Sequence, residues 1–384
     1  MYYKLGKIPR KRHIQFRKED GSLYYEELFG NEGFSSDSSL IYHINPPTQV
    51  KEVNGFNDVS PEAVVPYNIT SRKFKANKLS VSKTYNEGKE PLLFNNDLTI
   101  GMSHPKSSSK DAFYKNASFD ELVFVHYGNG LLKTFMGDVE FCEGDYIIIP
   151  RGIIYQFEFS SKKNKILYLE SNSPINFPKK YLSKKGQFLE GAPLSERDIK
   201  LPKDLKSYDK KGRFKILINK DHKIHEVIYK SHPFDVVGWD GYCYPFAVSI
   251  HDFEPITGKI HQPPPVHQIF EGNNFVVCSF CPRLFDYHPQ SIPAPYNHSN
   301  IDSDEVLYYV EGDFMSRDSI EIGDITLHPS GIPHGPHPGT VEKSIGKLKT
   351  DELAVMVDPF NPLKLTQEAL DVEDENYYKS WLTS

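Results

Sequence analysis

"DEVLYYVEGDFMSRDSIEIGDITLHPSGIPHGP", residues 304–336, repeats the pattern of "DELVFVHYGNGLLKTFMGDVEFCEGDYIIIPRGIIYQFEF", residues 120–159. Both copies begin with Asp-Glu, reach a glycine seven residues after the glutamate, and continue to Gly-Asp, four further residues and Pro-x-Gly. Each copy alternates apolar runs with turn residues, which is typical of the strands of an antiparallel barrel. The repeat therefore predicts two similar barrels in tandem.

The rest of the composition agrees with an all-β fold that has few helices. The chain of 384 residues contains 13% aromatic residues, 28 prolines and 25 glycines, and its short β-branched runs lie between turn residues. A lysine-rich stretch between the copies predicts a domain boundary between residues 195 and 235. We expect an N-terminal arm and a first barrel over residues 1–215, and a second barrel with a short C-terminal helix over residues 216–384.

The charge and hydropathy patterns exclude several classes of partner. The 45 basic and 51 acidic residues give a net charge of -6, which predicts neither a nucleic-acid partner nor a membrane-surface partner. Neither the apolar core of a secretory signal nor an apolar window of about 18 residues is present, so we expect a cytoplasmic protein. Four cysteines do not make a disulfide framework in a chain of this size, and the Cys278-x-x-Cys281 pair lies in a segment that reads as a strand.

Two segments of the second copy resemble the paired signatures of the cupin family. These are "HSNIDSDEVLYYVEG", residues 298–312, and "GDITLHPSGIPH", residues 323–334. The resemblance implies a bicupin, and it places metal ligands at His298, Glu305 and His334. Asn300 stands where many cupins have a further histidine, so the implied site has three protein ligands.

Only the second copy has the residue types that bind a metal in this way. The matching positions of the first copy are Tyr114, Glu121 and Tyr155. Strand alternation places Glu305, Leu307 and Tyr309 on one face, and a carboxylate buried on that face would be costly without a cation. Two imidazoles and a carboxylate suit a divalent first-row metal, whereas two tyrosines and a glutamate do not. The first barrel is therefore predicted to be structural.

Two further histidines flank three prolines in "HQPPPVHQ". The prolines stiffen the backbone into an extended form, so His261 and His267 belong either to a rigid edge loop or to the wall of the metal pocket. In the second case His261 would move a proton during catalysis.

Four residues are predicted to bind substrate, and three of them have an alternative role. His328 and His337 either line the pocket or lie at the mouth of the barrel. Tyr309 shares the interior face of its strand with Glu305. Arg283 either binds an anionic group or forms an ordinary ion pair.

Longer stretches resemble the homogentisate 1,2-dioxygenase family over nearly the whole chain. They are "KLGKIPRKRHIQFRKEDGSLYYEELFGNEGFSSDSSLIYH", residues 4–43, "FDVVGWDGYCYPFAVSIHDFEPITGKIHQPPPVHQIFEG", residues 234–272, and "DENYYKSW", residues 374–381. The resemblance implies an Fe(II) enzyme of tyrosine and phenylalanine catabolism that converts homogentisate and O2 to 4-maleylacetoacetate. It also implies a homo-oligomer built from trimers.

The resemblance gives roles to individual residues as well. It implies that His298, Glu305 and His334 bind iron, that His261 acts as acid and base, and that His328 contacts substrate. The spacing after His298 is one residue longer than in animal members, which leaves Asp304 as an alternative ligand, although the repeat favours Glu305. Phe314 stands where some members carry a pocket tyrosine.

Other activities remain open at this stage. Zinc bound to the same ligands would activate water, as in a hydrolase or isomerase. A related dioxygenase would cleave another hydroquinone-like or gentisate-like acid. A non-catalytic bicupin would bind a small ligand without consuming O2.

Overall fold

The computed structural model describes residues 1–48, 50–65, 68–312, 314 and 319–382. Within these ranges the regular structure is almost entirely β, and the two α-helices have five residues each. Neither helix in the described part of the chain has the length and apolar character needed to span a bilayer. The predicted all-β class is confirmed.

The first 19 strands lie in the N-terminal part of the chain, and all except β5 belong to the N-terminal arm and the first barrel. Their bounds are β1 (Tyr3–Gly6), β2 (Tyr25–Gly30), β3 (Ser38–His43), β4 (Val50–Asp58), β5 (Arg72–Phe74), β6 (Glu90–Phe94), β7 (Leu98–Ser103), β8 (Phe113–Asn116), β9 (Asp120–Tyr127), β10 (Gly130–Thr134), β11 (Gly137–Phe141), β12 (Asp145–Ile149), β13 (Ile154–Phe159), β14 (Lys165–Ser171), β15 (Ile199–Lys200), β16 (Lys211–Lys220), β17 (Lys223–Ser231), β18 (Val236–Gly241) and β19 (Phe246–Ser249).

The remaining elements belong to the second barrel and the C-terminal segment. Their bounds are β20 (Gln268–Gly272), β21 (Phe275–Phe280), β22 (Arg283–Leu284), β23 (Glu305–Glu311), β24 (Ile325–His328), α1 (Thr340–Ser344), β25 (Lys349–Thr350), β26 (Leu353–Pro359), β27 (Lys364–Leu365) and α2 (Gln367–Asp371). A 3-10 turn, Tyr377–Trp381, follows α2.

Two large sheets form the first barrel. One has the strand order β11-β10-β13-β8-β16-β17-β4, and the other has the order β15-β19-β12-β9-β14-β7-β6-β27. A third sheet, β1-β18-β3-β2, joins the N-terminal arm to the barrel. Large apolar side chains, including Val123, Phe141 and Phe157, fill part of the interior.

The second barrel has one regular wall and one irregular wall. The regular wall is the sheet β20-β21-β26-β23-β24-β5. The opposite wall contains the short pair β22-β25 and an isolated antiparallel bridge between His298 and His334. Cys278 lies on β21, as predicted, and all four cysteines are free. The two barrels together make the predicted bicupin.

Strand alternation separates the barrel interiors from the layer between the barrels. On β9, Val123 faces the first interior, while Leu122 and Phe124 join a large apolar cluster that both barrels share. On β23, Leu307 faces the second interior, while Tyr308 joins the shared cluster. Because both faces of these strands are buried, the strands read as nearly continuous apolar runs. The glutamate that begins each run is therefore placed in an interior.

The Gly-Asp element of the repeat makes the same turn in both barrels. Gly144 and Gly323 have φ values of 87° and 90°, a left-handed conformation that favours glycine. Oδ2 of Asp145 accepts a hydrogen bond from the backbone N–H three residues earlier at 2.8 Å, and Oδ2 of Asp324 does the same at 3.0 Å. The repeated Gly-Asp motif thus forms the same type of turn before β12 and before β24.

The predicted boundary at residues 215/216 falls inside β16. This strand pairs in parallel with β8 of the first barrel, and β19 pairs with β12. Residues up to 249 therefore belong to sheets of the first half, and we place the boundary near residue 250. The two halves also exchange strands, because β5 joins the second barrel through β24 and β27 joins the first through β6.

A buried histidine locks the N-terminal arm to the first barrel. Nδ1 of His43 lies 2.8 Å from Oδ1 of Asp235, and its Nε2 lies 2.9 Å from Oε2 of Glu27. Both ring nitrogens face acceptors, so the ring donates twice when it is charged. Burial alone would lower the pKa of His43, but hydrogen bonds to the two carboxylates raise it to about 9.

We expect His43→Gln to lose a contribution to stability that depends on pH. The pKa is raised from 6.5 to about 9 in the folded chain, so the contribution is complete below the unfolded value and disappears as the pH rises through about 9. At about 1.36 kcal/mol per pKa unit, the stability difference between wild type and variant should approach 3 kcal/mol near neutral pH. Urea unfolding over a pH series measures it.

His13→Gln is the matched control. His13 also pairs with a carboxylate, Glu26, but its side chain is exposed, so little change in stability is expected. A stability difference for His43→Gln that does not shrink at alkaline pH would contradict the charged pairing.

Candidate metal centre

His298 and His334 are brought together by their own backbones. Each N–H donates to the carbonyl of the other residue, at 2.8 and 2.9 Å, and the ring centroids lie 4.4 Å apart. His298 precedes β23, and His334 lies within the proline- and glycine-rich segment after β24. The bridge therefore positions both rings through main-chain atoms.

Local hydrogen bonds select one tautomer of each ring. Nδ1 of His298 donates to the carbonyl of Tyr296, and Nδ1 of His334 donates to the carbonyl of Ile332, both at 3.2 Å. In a neutral ring the Nε2 atom then carries the lone pair. These Nε2 atoms lie 3.4 and 3.6 Å from Oε2 of Glu305. Three electron-pair donors thus converge on one point.

This arrangement fits a divalent metal. The three ligand atoms lie within 4.8 Å of one another. Nε2 of His334 is buried and has no hydrogen-bond partner among the described residues. A cation would compensate this nitrogen and the buried charge of Glu305 at the same time. Two histidines and one carboxylate leave coordination positions open for other molecules.

His328 lies behind the carboxylate of Glu305. It is opposite Glu305 in the β23–β24 ladder, and its Nδ1 lies 2.7 Å from Oε1. Its ring is fully buried and stacks on His334 with centroids 5.1 Å apart. Burial alone raises the pKa of Glu305, but its close contacts with the surrounding histidines lower it well below its usual range. His328 thus contacts the carboxylate of Glu305 and does not line the cavity beside it, and its role in substrate binding stays a prediction.

Asp304, the alternative carboxylate, has a different role. Its Oδ1 accepts from the N–H of Ser330, and its Oδ2 accepts from the N–H of Leu363, both at 2.8 Å. Both oxygens therefore tether loops outside the barrel interior. The geometry favours Glu305 as the ligand.

A cavity of about 220 Å³ opens beside the metal-binding side chains. It has room for a single aromatic ring, and most of its walls are apolar. Among the predicted site residues, His261, Arg283, His298 and Glu305 line it. Further lining residues include Val266, Phe280, Ala294, Pro295, Leu307 and Met356.

His261 lies at the rim of this cavity and is paired with a carboxylate. Its Nδ1 lies 2.8 Å from Oδ2 of Asp286, which also accepts the N–H of Gln262 at 3.2 Å. The ring packs edge-on against Tyr296, with centroids 4.8 Å apart. Asp286 therefore fixes the ring at Nδ1, so Nε2 is the ring nitrogen that could exchange a proton. The sequence analysis did not identify Asp286.

The structure does not bring Tyr309 and His337 to the cavity. The hydroxyl of Tyr309 lies 3.0 Å from Oγ1 of Thr326, and its ring packs edge-on against Phe314 deep in the barrel. His337 stacks on Trp381 of the C-terminal segment with centroids 4.1 Å apart. Both predicted substrate-binding residues therefore lie outside the cavity.

The sequence analysis missed Asp358, a second carboxylate at the site. Val306 pairs with Val357, so Asp358 on β26 lies next to Glu305 in the ladder, and it lines the cavity. Its Oδ1 is buried without a hydrogen-bond partner in the described ranges, and burial, followed by the charge of Glu305, raises its pKa. An acidic residue in the apolar run "LAVMVDP" is the signal that was overlooked.

His267 also lines the cavity, and the wall of the pocket is one of the two positions predicted for it. Burial, followed by the charge of a nearby arginine, lowers the pKa of His267 to about 3, so this ring is neutral. A neutral ring next to the apolar wall suits an aromatic ligand.

Fold and side chains together define a bicupin whose second barrel carries a cluster of two histidines and one glutamate suited to a metal. The chain belongs to the homogentisate 1,2-dioxygenase family, because residues 37–250 match the family model described as "Homogentisate 1,2-dioxygenase N-terminal". The resemblance inferred from the sequence is confirmed. The matched residues comprise most of the first half, and the metal-binding cluster lies beyond them.

Relatives of the chain carry dioxygenase names. A protein of Saccharolobus solfataricus, provisionally described as a dioxygenase, is 44% identical over 100% of this chain and 99% of its own length. Homogentisate 1,2-dioxygenase of Mus musculus is 23% identical over 94% of this chain and 88% of its own. The Rhizobium etli enzyme is 25% identical over 71% of this chain, and the match spans 62% of its length, less than two thirds. Among solved structures, Bacillus subtilis oxalate decarboxylase covers 77% of this chain and 78% of its own, at 11% identity and a TM-score of 0.35.

Proposed function

We propose that this protein is an Fe(II)-dependent ring-cleaving dioxygenase that converts homogentisate and O2 to 4-maleylacetoacetate. The convergence of His298, Glu305 and His334 beside a cavity of single-ring size carries the proposal. The family supports dioxygenase chemistry, and the ligand set is the one found in non-haem Fe(II) oxygenases. The same set would bind zinc, so the metal is part of the proposal.

The residues of the chain divide the work around the substrate. When bound, Fe(II) supplies the open coordination positions and the redox chemistry that O2 activation requires. His261 accepts the phenolic proton at Nε2, because Asp286 occupies Nδ1. Arg283, which lines the cavity, faces the anionic group of the substrate. The apolar walls orient the ring and exclude water.

His261→Gln should slow turnover and leave metal binding intact. Loss of proton transfer typically costs about 10²–10⁴-fold in rate. Asp286→Asn should cause a smaller loss, because the ring keeps its nitrogen but loses its orienting carboxylate. Iron content and the pH profile of kcat for both variants measure these effects. An unchanged pH profile in His261→Gln would remove this residue from proton transfer.

Anaerobic reconstitution tests the function directly. Protein loaded with Fe(II) should consume O2 when homogentisate is added and should form the chromophore of maleylacetoacetate. Protein loaded with Zn(II) is the control and should consume none. If gentisate or another hydroquinone acid is the preferred substrate, the proposed substrate is wrong but the proposed reaction class stays. If the iron-loaded protein binds the aromatic acid but takes up no O2, it is a non-catalytic bicupin. If the zinc-loaded protein turns over a substrate without O2, it is a hydrolase or isomerase.

The oligomeric state stays a prediction from the family resemblance, and the cytoplasmic location stays a prediction from the sequence composition. The resemblance implies a trimer-based homo-oligomer, and light scattering of the purified chain measures its mass. A cytoplasmic location is tested by fractionation.

A further inference from the structure

The first barrel contains its own cavity, of about 660 Å³. The strand ladders make it the repeat counterpart of the candidate active-site cavity. Glu121 pairs with Glu170 across β9 and β14, as Glu305 lies beside Asp358 across β23 and β26. Three counterpart pairs line the two cavities: Tyr114 and His298, Tyr168 and Met356, Glu170 and Asp358. The volume is within the range of small-molecule sites.

In this cavity the ammonium group of a lysine lies at the position that corresponds to the candidate metal position of the second barrel. Nζ of Lys89 contacts Glu121 and lies 2.9 Å from Oε1 of Glu170. The hydroxyl of Tyr155 donates to Oε2 of Glu121 at 2.8 Å, and Nδ2 of Asn116 donates to Oε1 of Glu170 at 2.9 Å. The cation is therefore part of the chain, and the site needs no metal to balance its carboxylates.

The lining is acidic and rich in hydrogen-bond acceptors. Glu87, Glu170 and Glu226 line the cavity, whereas Lys89 is its one lysine or arginine among the described residues. Asn219 also lines the cavity, and this residue is only 2% exposed. Its Oδ1 atom has no hydrogen-bond partner in the described part of the chain. A buried acceptor left unpaired destabilises the folded chain. A ligand that donates a hydrogen bond would remove that destabilisation.

We propose that the first barrel binds a neutral polyhydroxylated molecule, of the sugar or polyol class. Its hydroxyl groups donate to Asn219 and to the lining carboxylates, and its apolar C–H faces pack on the rings of Tyr114 and Tyr168. The excess of carboxylates repels acids and phosphates, so the ligand differs in charge from an aromatic acid. The proposal is independent of the reaction assigned to the second barrel.

Titration of the full chain with glucose, mannitol and myo-inositol at millimolar concentration tests the proposal, with binding followed calorimetrically and by ligand-observed NMR. We expect at least one of these polyols to bind. Asn219→Leu removes the acceptor at similar size and should weaken binding about tenfold or more, since 1.4 kcal/mol is a factor of ten. Leu217→Trp, at another lining position, should block the cavity sterically.

His334→Ala is the control, because it alters only the second barrel and should bind the polyol as wild type does. Circular dichroism shows which variants are folded. If Asn219→Leu is unfolded, the comparison of Leu217→Trp with His334→Ala decides. Failure of all three polyols to bind, binding that survives in a folded Leu217→Trp, or binding of homogentisate in place of polyols at this cavity would overturn the proposal.

Discussion

We expect His334→Ala to lose metal binding and the proposed ring-cleaving turnover, while the chain stays folded. The variant removes one of three converging donors but leaves the backbone bridge to His298, which uses main-chain atoms. Loss of an outer-shell partner typically costs about 10–100-fold in metal affinity, and loss of a ligand itself should cost more. Metal analysis after dialysis, oxygen uptake and circular dichroism measure the three parts of this expectation.

His337→Ala is the matched control for His334→Ala. His337 lies three residues further along the same segment, but it stacks on Trp381 outside the ligand cluster. This variant should retain iron and turnover. Full iron occupancy in His334→Ala, or equal loss of iron in both variants, would refute the ligand assignment.

The second large effect is expected in the first barrel. Lys89→Met leaves Glu121 and Glu170 facing each other in a buried site without their cation. Removing one partner of a buried ion pair typically destabilises a protein by about 3–5 kcal/mol. Burial already raises the pKa of Glu121 even though the charge of Lys89 lowers it, so loss of the ammonium should raise this pKa further. The destabilisation should therefore be largest near neutral pH and should decrease in acid, where the carboxylates protonate.

Urea unfolding of matched variants tests this expectation. In Lys89→Met/Glu121→Gln one charge is removed from the unpaired site, so part of the lost stability should return. Lys133→Met is the surface control, because Lys133 pairs with the half-exposed Glu158 at 2.8 Å. Its effect should stay within about 1 kcal/mol. If Lys89→Met were as stable as Lys133→Met, the ammonium would not be the internal cation of the first barrel.

The sequence predicted those features that depend on neighbouring residues. Gly144 and Gly323 mark turns that only a left-handed backbone can make, and alternation along β23 places Glu305 in the barrel interior. Spacing within one strand or one turn is sufficient for such predictions. The all-β class and the two barrels could therefore be predicted from local patterns, whereas the grouping of His298 with Glu305 and His334 was implied by the cupin resemblance.

Other features required contacts between distant segments. The boundary lies near residue 250 because β16 pairs with β8 and β19 pairs with β12, and such strand pairing is not encoded within a single strand. His337 lies away from the cavity because a C-terminal aromatic ring packs on it.

By itself, the sequence determined that this chain forms two barrels and that Glu305 lies in the interior of one of them, since the periodicity of a strand fixes the face on which each residue lies. Only the tertiary structure decided which interior groups meet. It placed His328 behind Glu305, Asp358 beside it, and Lys89 between two carboxylates of the first barrel. The physical reason is that the charge of a buried group is balanced by whatever the packed chain brings within hydrogen-bonding distance, and those partners lie far away in the sequence.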